Sequence, residues 1–147
     1  MDNENTQLSD INVGKLNFQP MPKRFMVWDK ELGDWIAIKD VYDAYGVEYA
    51  NRTVFDFLDI AQMLKRYSID NLIFCQSTNL FDKDGNEIFE GSILQEPNDR
   101  ISVVLYDNDE GMFRTRSGNV LDDMVCGGDH FEVVGHIFSN PELLEER

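Results

Sequence analysis

The sequence predicts a mainly β protein with a minor α component: a small, strongly bent antiparallel barrel, SH3-like in strand pattern, with an N-terminal hairpin and one inserted amphipathic helix. Three observations carry this expectation. Beyond residue 80, short apolar runs alternate at close intervals with polar turns that contain glycine. Ahead of them, two runs of strand-forming residues flank the turn-forming stretch Asp29 to Asp34. Between these regions, one stretch alone, Asp56 to Tyr67, shows apolar residues at helical spacing.

Residues 1–22 are polar, broken by Pro20 and Pro22, and carry only scattered apolar side chains such as Leu8, Ile11, Val13, Leu16 and Phe18. They are expected to form a disordered or loosely docked arm, leaving 23–147 as one domain large enough to bury a core without disulfides. Phe25 to Trp28 and Trp35 to Ile38 then form the hairpin. Val41 to Thr53 carries Tyr42, Tyr45 and Tyr49 around Gly46 and has no assignable pattern. In the helix that follows, about three turns long, Phe57, Leu58, Ile60, Ala61 and Leu64 share the face expected to be buried, and Lys65-Arg66 occupy the last turn. Leu72 to Gln76 is a short apolar strand.

Asp82-Lys83-Asp84-Gly85-Asn86 reverses the chain with a glycine suited to a left-handed backbone. Ile88 to Leu94 re-enters the sheet with Gly91 in its middle, the mark of a bulge or sharp bend. Further strands are expected at Ile101–Tyr106, Met112–Thr115 and Phe131–Phe138, with turns at Asp107–Gly111 and Cys126–Asp129. Pro141 to Glu146 is one closing helical turn, with Asn140 as its cap and proline in the first helical position. Gly85, Gly91 and Gly135 are expected to be critical to the backbone. Trp28, Leu80, Ile88, Phe89, Ile93, Val104, Val133 and Ile137 are expected in the core.

Three segments together resemble the YopX family of phage and prophage proteins. They are Arg24-Phe25-Met26-Val27-Trp28-Asp29, the block from Gln76 to Ile93, and the ending from Glu132 to Leu144 with its Val133-Val134-Gly135 strand and Asn140-Pro141-Glu142-Leu143-Leu144. Their order and spacing carry the resemblance, which spans roughly residues 23 to 145. Asn79 stands where the family usually has glycine, and Ser92 where it usually has aspartate. The resemblance implies a small, mainly β protein carried by a phage or mobile element; it implies no particular reaction.

Composition narrows the function further. With 28 Asp and Glu against 13 Lys and Arg, the formal net charge is -15. Binding to a phosphate backbone depends on cationic side chains that release counterions, so direct nucleic-acid binding is not expected. Met1 to Asp10 lacks the positive charge and apolar run of a secretory signal, and no apolar stretch approaches a membrane span, so a cytoplasmic location without membrane contact is expected.

No catalytic, cofactor-binding or metal-ligating residue is assigned. Asp82 to Glu87 resembles part of a calcium loop, but aligning Gly85 with that loop's glycine puts Leu80 and Gly91 at required carboxylate positions. Cys75, Cys126, His130 and His136 are the only soft metal ligands, and no pair has zinc-site spacing. The densest acidic groups, Asp107 to Glu110 and Asp122-Asp123, fall in expected turns as solvated charge.

The leading expectation is therefore a non-enzymatic accessory protein that contacts another protein, with self-association left open because short edge strands invite pairing. Two or three aromatics exposed together, from Trp28, Trp35, Tyr42, Tyr45 and Tyr49, would mark the contact surface. An acidic nucleic-acid mimic that inhibits a DNA-binding protein and a small enzyme with a concave pocket are the alternatives.

Overall fold

A computed structural model describes residues 23–124 and 130–145, and in it the chain is mainly β, as expected. The expectations for residues 1–22 and for the turn at Cys126–Asp129 lie outside the described residues. Among these residues, ten strands form two five-stranded antiparallel sheets.

The first sheet is centred on β1 (Arg24–Asp29). It pairs with β2 (Asp34–Trp35) across the expected turn, with β3 (Val54–Asp56) and with β4 (Leu72–Phe81), which in turn pairs with β5 (Glu87–Phe89). Register places Val27 opposite Phe74 and Phe25 opposite Phe55, so these side chains share one face. On that face Val27 and Leu72 are buried with Ile36, Val41, Phe55 and Met63 from the segment linking β2 to β4. Met26, Trp28, Ile73 and Cys75 point to the other face.

The second sheet runs β10-β6-β7-β8-β9 in space. Its strands are β6 (Ser92–Gln95), β7 (Ile101–Asp107), β8 (Met112–Ser117), β9 (Val120–Asp123) and β10 (Glu132–His136). The last strand returns to pair with the first, which curls the sheet into a half-barrel. Ile88, Leu94, Val104 and Met124 fill the curl, with Leu80, Phe113, Phe131 and Val133 packed around them. Of the expected core, Ile88, Phe89, Ile93 and Val104 are buried, whereas Trp28, Leu80, Val133 and Ile137 are half-buried.

Several expectations need correction. Ile36 and Ala37 leave the sheet after Trp35, and Ile38–Tyr42 is a short helix, α1. The long amphipathic helix is reduced to α2 (Asp59–Met63). Its first turn is lost because Val54 to Asp56 pair with β1, while the Asp59 and Asp56 carboxylates take the backbone amides of Asp56 and Leu58 at 2.9 Å each. Together these reciprocal bonds cap the helical turn at the end of β3, so the regular helix begins only after it. The residue this helix buries is Met63, and Phe57 and Leu58 lie 66% and 81% exposed. Asp122-Asp123 is not a turn but part of β9, paired with β8. The closing turn Pro141–Leu144 is a 3-10 helix preceded by Asn140, whose side chain makes no cap bond. Instead Asn140 Oδ1 accepts the His136 amide at 3.1 Å. A Cβ at Gly135 would sit 2.8 Å from that oxygen, which is why β10 carries glycine there.

Candidate functional site

The two sheets meet at the turn Glu90-Gly91. Gly91 adopts φ +85° as its place in the sequence predicts; its amide donates to Val104 O at 2.8 Å and its carbonyl accepts from Ile137 N at 3.0 Å. The His136 ring lies directly against it, donating from Nε2 to Glu90 O at 2.8 Å and accepting the Phe138 amide on Nδ1 at 3.2 Å. Both ring nitrogens are thereby engaged, and the neutral form is the one that fits. Burial pulls the His136 pKa below its ordinary value, although the bond to Glu90 opposes this. Trp28 and Trp35 flank the same junction: Trp28 stacks on Phe138 at 5.5 Å, and Trp35 meets the His136 ring edge-on at 4.6 Å. The tryptophans thus join the sheets.

A groove of about 320 Å³ runs beside this junction, lined by Ile73, Cys75, Val103, Leu105, His136 and Phe138 among others. It is a concavity of the size an enzyme would use, and of its lining groups Cys75 and His136 are held in uncharged forms beside the Glu90 carboxylate. The Cys75 thiol is pushed up to about 12, by burial first and the nearby Glu90 charge second. His136 is committed as described.

The calcium-like loop is likewise occupied by its own backbone. Asp82, only 5% exposed, accepts the Asp84 and Asn86 amides on Oδ1 at 2.9 and 2.8 Å, and Val133 N and Asn86 Nδ2 on Oδ2 at 2.9 and 3.2 Å. Burial raises its pKa, but these bonds, led by that from Val133, outweigh burial and hold the carboxyl below its ordinary value. Among the described residues no three His, Cys, Asp or Glu side chains are grouped to hold a metal ion, and no helix is long and apolar enough to cross a membrane. Cys126 is outside those residues. His130 precedes β10, so it does not share a strand with His136.

Nor are the acidic groups merely solvated. Asp107 bonds Arg114 at 3.0 Å, Asp123 lies 3.1 Å from the same guanidinium, and Asp122 lies 2.8 Å from Arg100, which also holds Glu96. Even so, residues 82–145 contain fifteen Asp and Glu against four Lys and Arg, whereas 38–67 contain five against four. The charge is segregated onto the second half of the chain.

Exposed apolar side chains such as Leu32, Ile69 and Val120 are scattered along the chain, but residues 42–58 gather the largest set on one short segment. Tyr42, Tyr45 and Tyr49 are 43%, 69% and 48% exposed, and Phe57 and Leu58 of the same segment are open as well. This surface is ordered by its own bonds. The α1 terminus places Asp43 in a left-handed conformation, φ 55°, and Arg66 clamps it through two bonds at 3.0 and 2.6 Å while a further bond reaches Asp40 O at 2.9 Å. The Tyr42 hydroxyl donates to Asp59, tying α1 to α2; that bond, with burial second, raises the Tyr42 pKa to about 12. Sequence reading singled out the tyrosines but assigned Phe57 and Leu58 to the core, since helical spacing alone cannot say which side of a helix meets solvent.

The YopX protein family model matches residues 24–145. No curated protein matches the chain. Among solved structures it is similar to the crystal structure of protein EF1440 from Enterococcus faecalis, at 22% identity and a TM-score of 0.49, over 84% of this chain and 98% of that one.

Proposed function

The chain belongs to the YopX protein family, and we propose that it is a phage- or prophage-encoded accessory protein of the cytoplasm that acts by contact with another protein rather than by catalysis. The observation that carries this is the ordered, exposed set Tyr42, Tyr45, Tyr49, Phe57 and Leu58. Large apolar side chains in such numbers on one short segment incur a hydration cost that a partner surface would relieve. The junction supports the same reading, because His136 is tied into holding the sheets together through both ring nitrogens, and the Cys75 thiol is buried and held in its protonated form.

Tagged full-length protein, expressed in cells carrying the phage, should recover a stoichiometric partner, whether another chain or an untagged copy. Leu58→Asp should lose that partner without lowering the melting temperature. A protein always recovered alone, or a partner the variant retains, would reject the proposal.

The charge segregation favours a second reading, in which the anionic half occupies the phosphate channel of a DNA-binding protein. Titration against such a protein would then give binding that weakens steeply with salt and is indifferent to Leu58→Asp. Binding that is insensitive to salt would remove this reading.

A further inference from the structure

We infer that the occupant of the exposed aromatic surface is a second copy of this chain, the insertion between β2 and β4 (residues 38–67) of each copy meeting the other face to face about a two-fold axis. The inference rests on the protein-contact reading above and adds the identity of the partner.

Charge and architecture carry the argument. The insertion packs on the Val27 face of the first sheet, and the opposite, Trp28 face is covered by the Phe138 segment and the second sheet. The nearly neutral insertion and the strongly acidic half-barrel therefore point in opposite directions. Two chains of formal charge -15 repel one another in most orientations. Meeting through the insertions is the approach that keeps the acidic halves farthest apart. A basic partner is less well matched to this surface, because its attraction would lead it to the second sheet, where the net negative charge resides.

The segment also carries exposed charges of both signs that its own fold leaves without ion-pair partners. Among the described residues, Arg66 is paired with Asp43, but exposed Arg52 and Lys65 hold no carboxylate, and exposed Glu48 and Asp56 hold no cation. A two-fold operation presents each set to the other, as an isologous interface requires. Exposed Tyr42, Phe57 and Leu58 would supply the apolar centre of such an interface and these charges its polar rim.

Sedimentation equilibrium of the full-length chain at 20 and 300 mM salt tests the inference. The expected species is a dimer that tightens about threefold or more at high salt, since screening relieves repulsion between the acidic halves while exposed ion pairs contribute little. Leu58→Asp should weaken it at least about tenfold, because the change acts twice across the axis. Its circular dichroism melting curve should match wild type, showing that the variant folds. A monomer at both salt concentrations, a dimer unmoved by Leu58→Asp, or association that weakens with salt would overturn the inference. A monomer whose tagged form captures a different protein, lost on Leu58→Asp, would sink the second copy and leave the contact reading standing. A monomer that captures nothing would sink both.

Discussion

Asp82→Ala offers the sharpest test of how the half-barrel is closed. The Asp82 carboxylate satisfies three backbone amides and one side-chain amide, and the donor from Val133 joins the Asp82 turn to the last strand across 51 residues. In the alanine variant the amides of Asp84 and Asn86, on an exposed turn, can find water, but Val133 N–H is part-buried. Leaving that donor unpaired costs about 1–3 kcal/mol, and losing the charge-assisted turn bonds adds about 1 more, so a total of about 3 kcal/mol is expected. At this chain length the melting temperature should fall by about 10 °C.

Asp82→Asn should cost about half as much, since its oxygen still serves one pair of donors while its NH₂ faces the other. Urea titration followed by Trp28 and Trp35 fluorescence measures both, because these rings pack where the sheets join. The pH dependence follows from the lowered folded pKa. The stabilisation is fully present above the unfolded value near 3.8 and is lost as pH falls through the lower folded value. The gap between wild type and Asp82→Asn should therefore be constant from pH 7 to 5 and close below about pH 4. A loss under 1 kcal/mol for Asp82→Ala at pH 7, or a gap that persists at the acid extreme, would refute the reasoning.

Two further outcomes concern the junction. Gly91→Ala places a methyl 2.5 Å from the His136 ring in a left-handed backbone, so it should cost about 3 kcal/mol or more in urea titration; a loss below 1 kcal/mol would show that the ring is free to move away. Because the folded pKa of His136 is lowered, its contribution is present above the unfolded value near 6.5 and declines as pH falls below it. Wild-type stability should accordingly drop between pH 7 and pH 5.5 by more than that of His136→Gln, and parallel curves would count against a buried neutral ring.

The half-barrel is legible in the sequence because local signals agree there. Polar Asp82 to Asn86, Gly91 and Gly135 punctuate strands whose alternation matches the buried set Ile88, Ile93 and Val104. Residues 38–67 are not legible for the converse reason. Phe57 and Leu58 extend a helical apolar pattern that reads as core, yet Val54 to Asp56 pair with β1 and both side chains end up exposed just after that strand. Strand β9 is hidden in a different way: Val120 to Asp123 is half acidic, and its carboxylates are tolerated on a strand because Arg114 of β8 and Arg100, just ahead of β7, meet them. That neutralisation is tertiary, so no window of sequence displays it. The tryptophans were as suggestive as the tyrosines by composition, and only packing separates rings that join two sheets from rings that face outward.

The two positions that depart from the family pattern show how the same physical roles can be filled by other residues. Asn79 takes φ 63°, a left-handed conformation that glycine adopts freely and asparagine tolerates best among the rest, and its amide bonds Ser77 Oγ at 3.0 Å. Ser92, where the family usually has aspartate, is 3% exposed, and its Oγ accepts the Phe89 amide at 2.9 Å across the Gly91 bend. What that position must supply is an acceptor oxygen within reach of an otherwise unpaired backbone donor. A hydroxyl does so without bringing a charge into the junction, where a carboxylate would need its own compensation. In this chain the bend therefore needs no acid at residue 92, and the same junction that holds the acidic half-barrel to the first sheet stays uncharged at both His136 and Ser92. The carboxylate that remains there, Glu90, is held by the Gln76 amide at 2.9 Å, so the bend carries its one charge on a residue that has its own backbone donor.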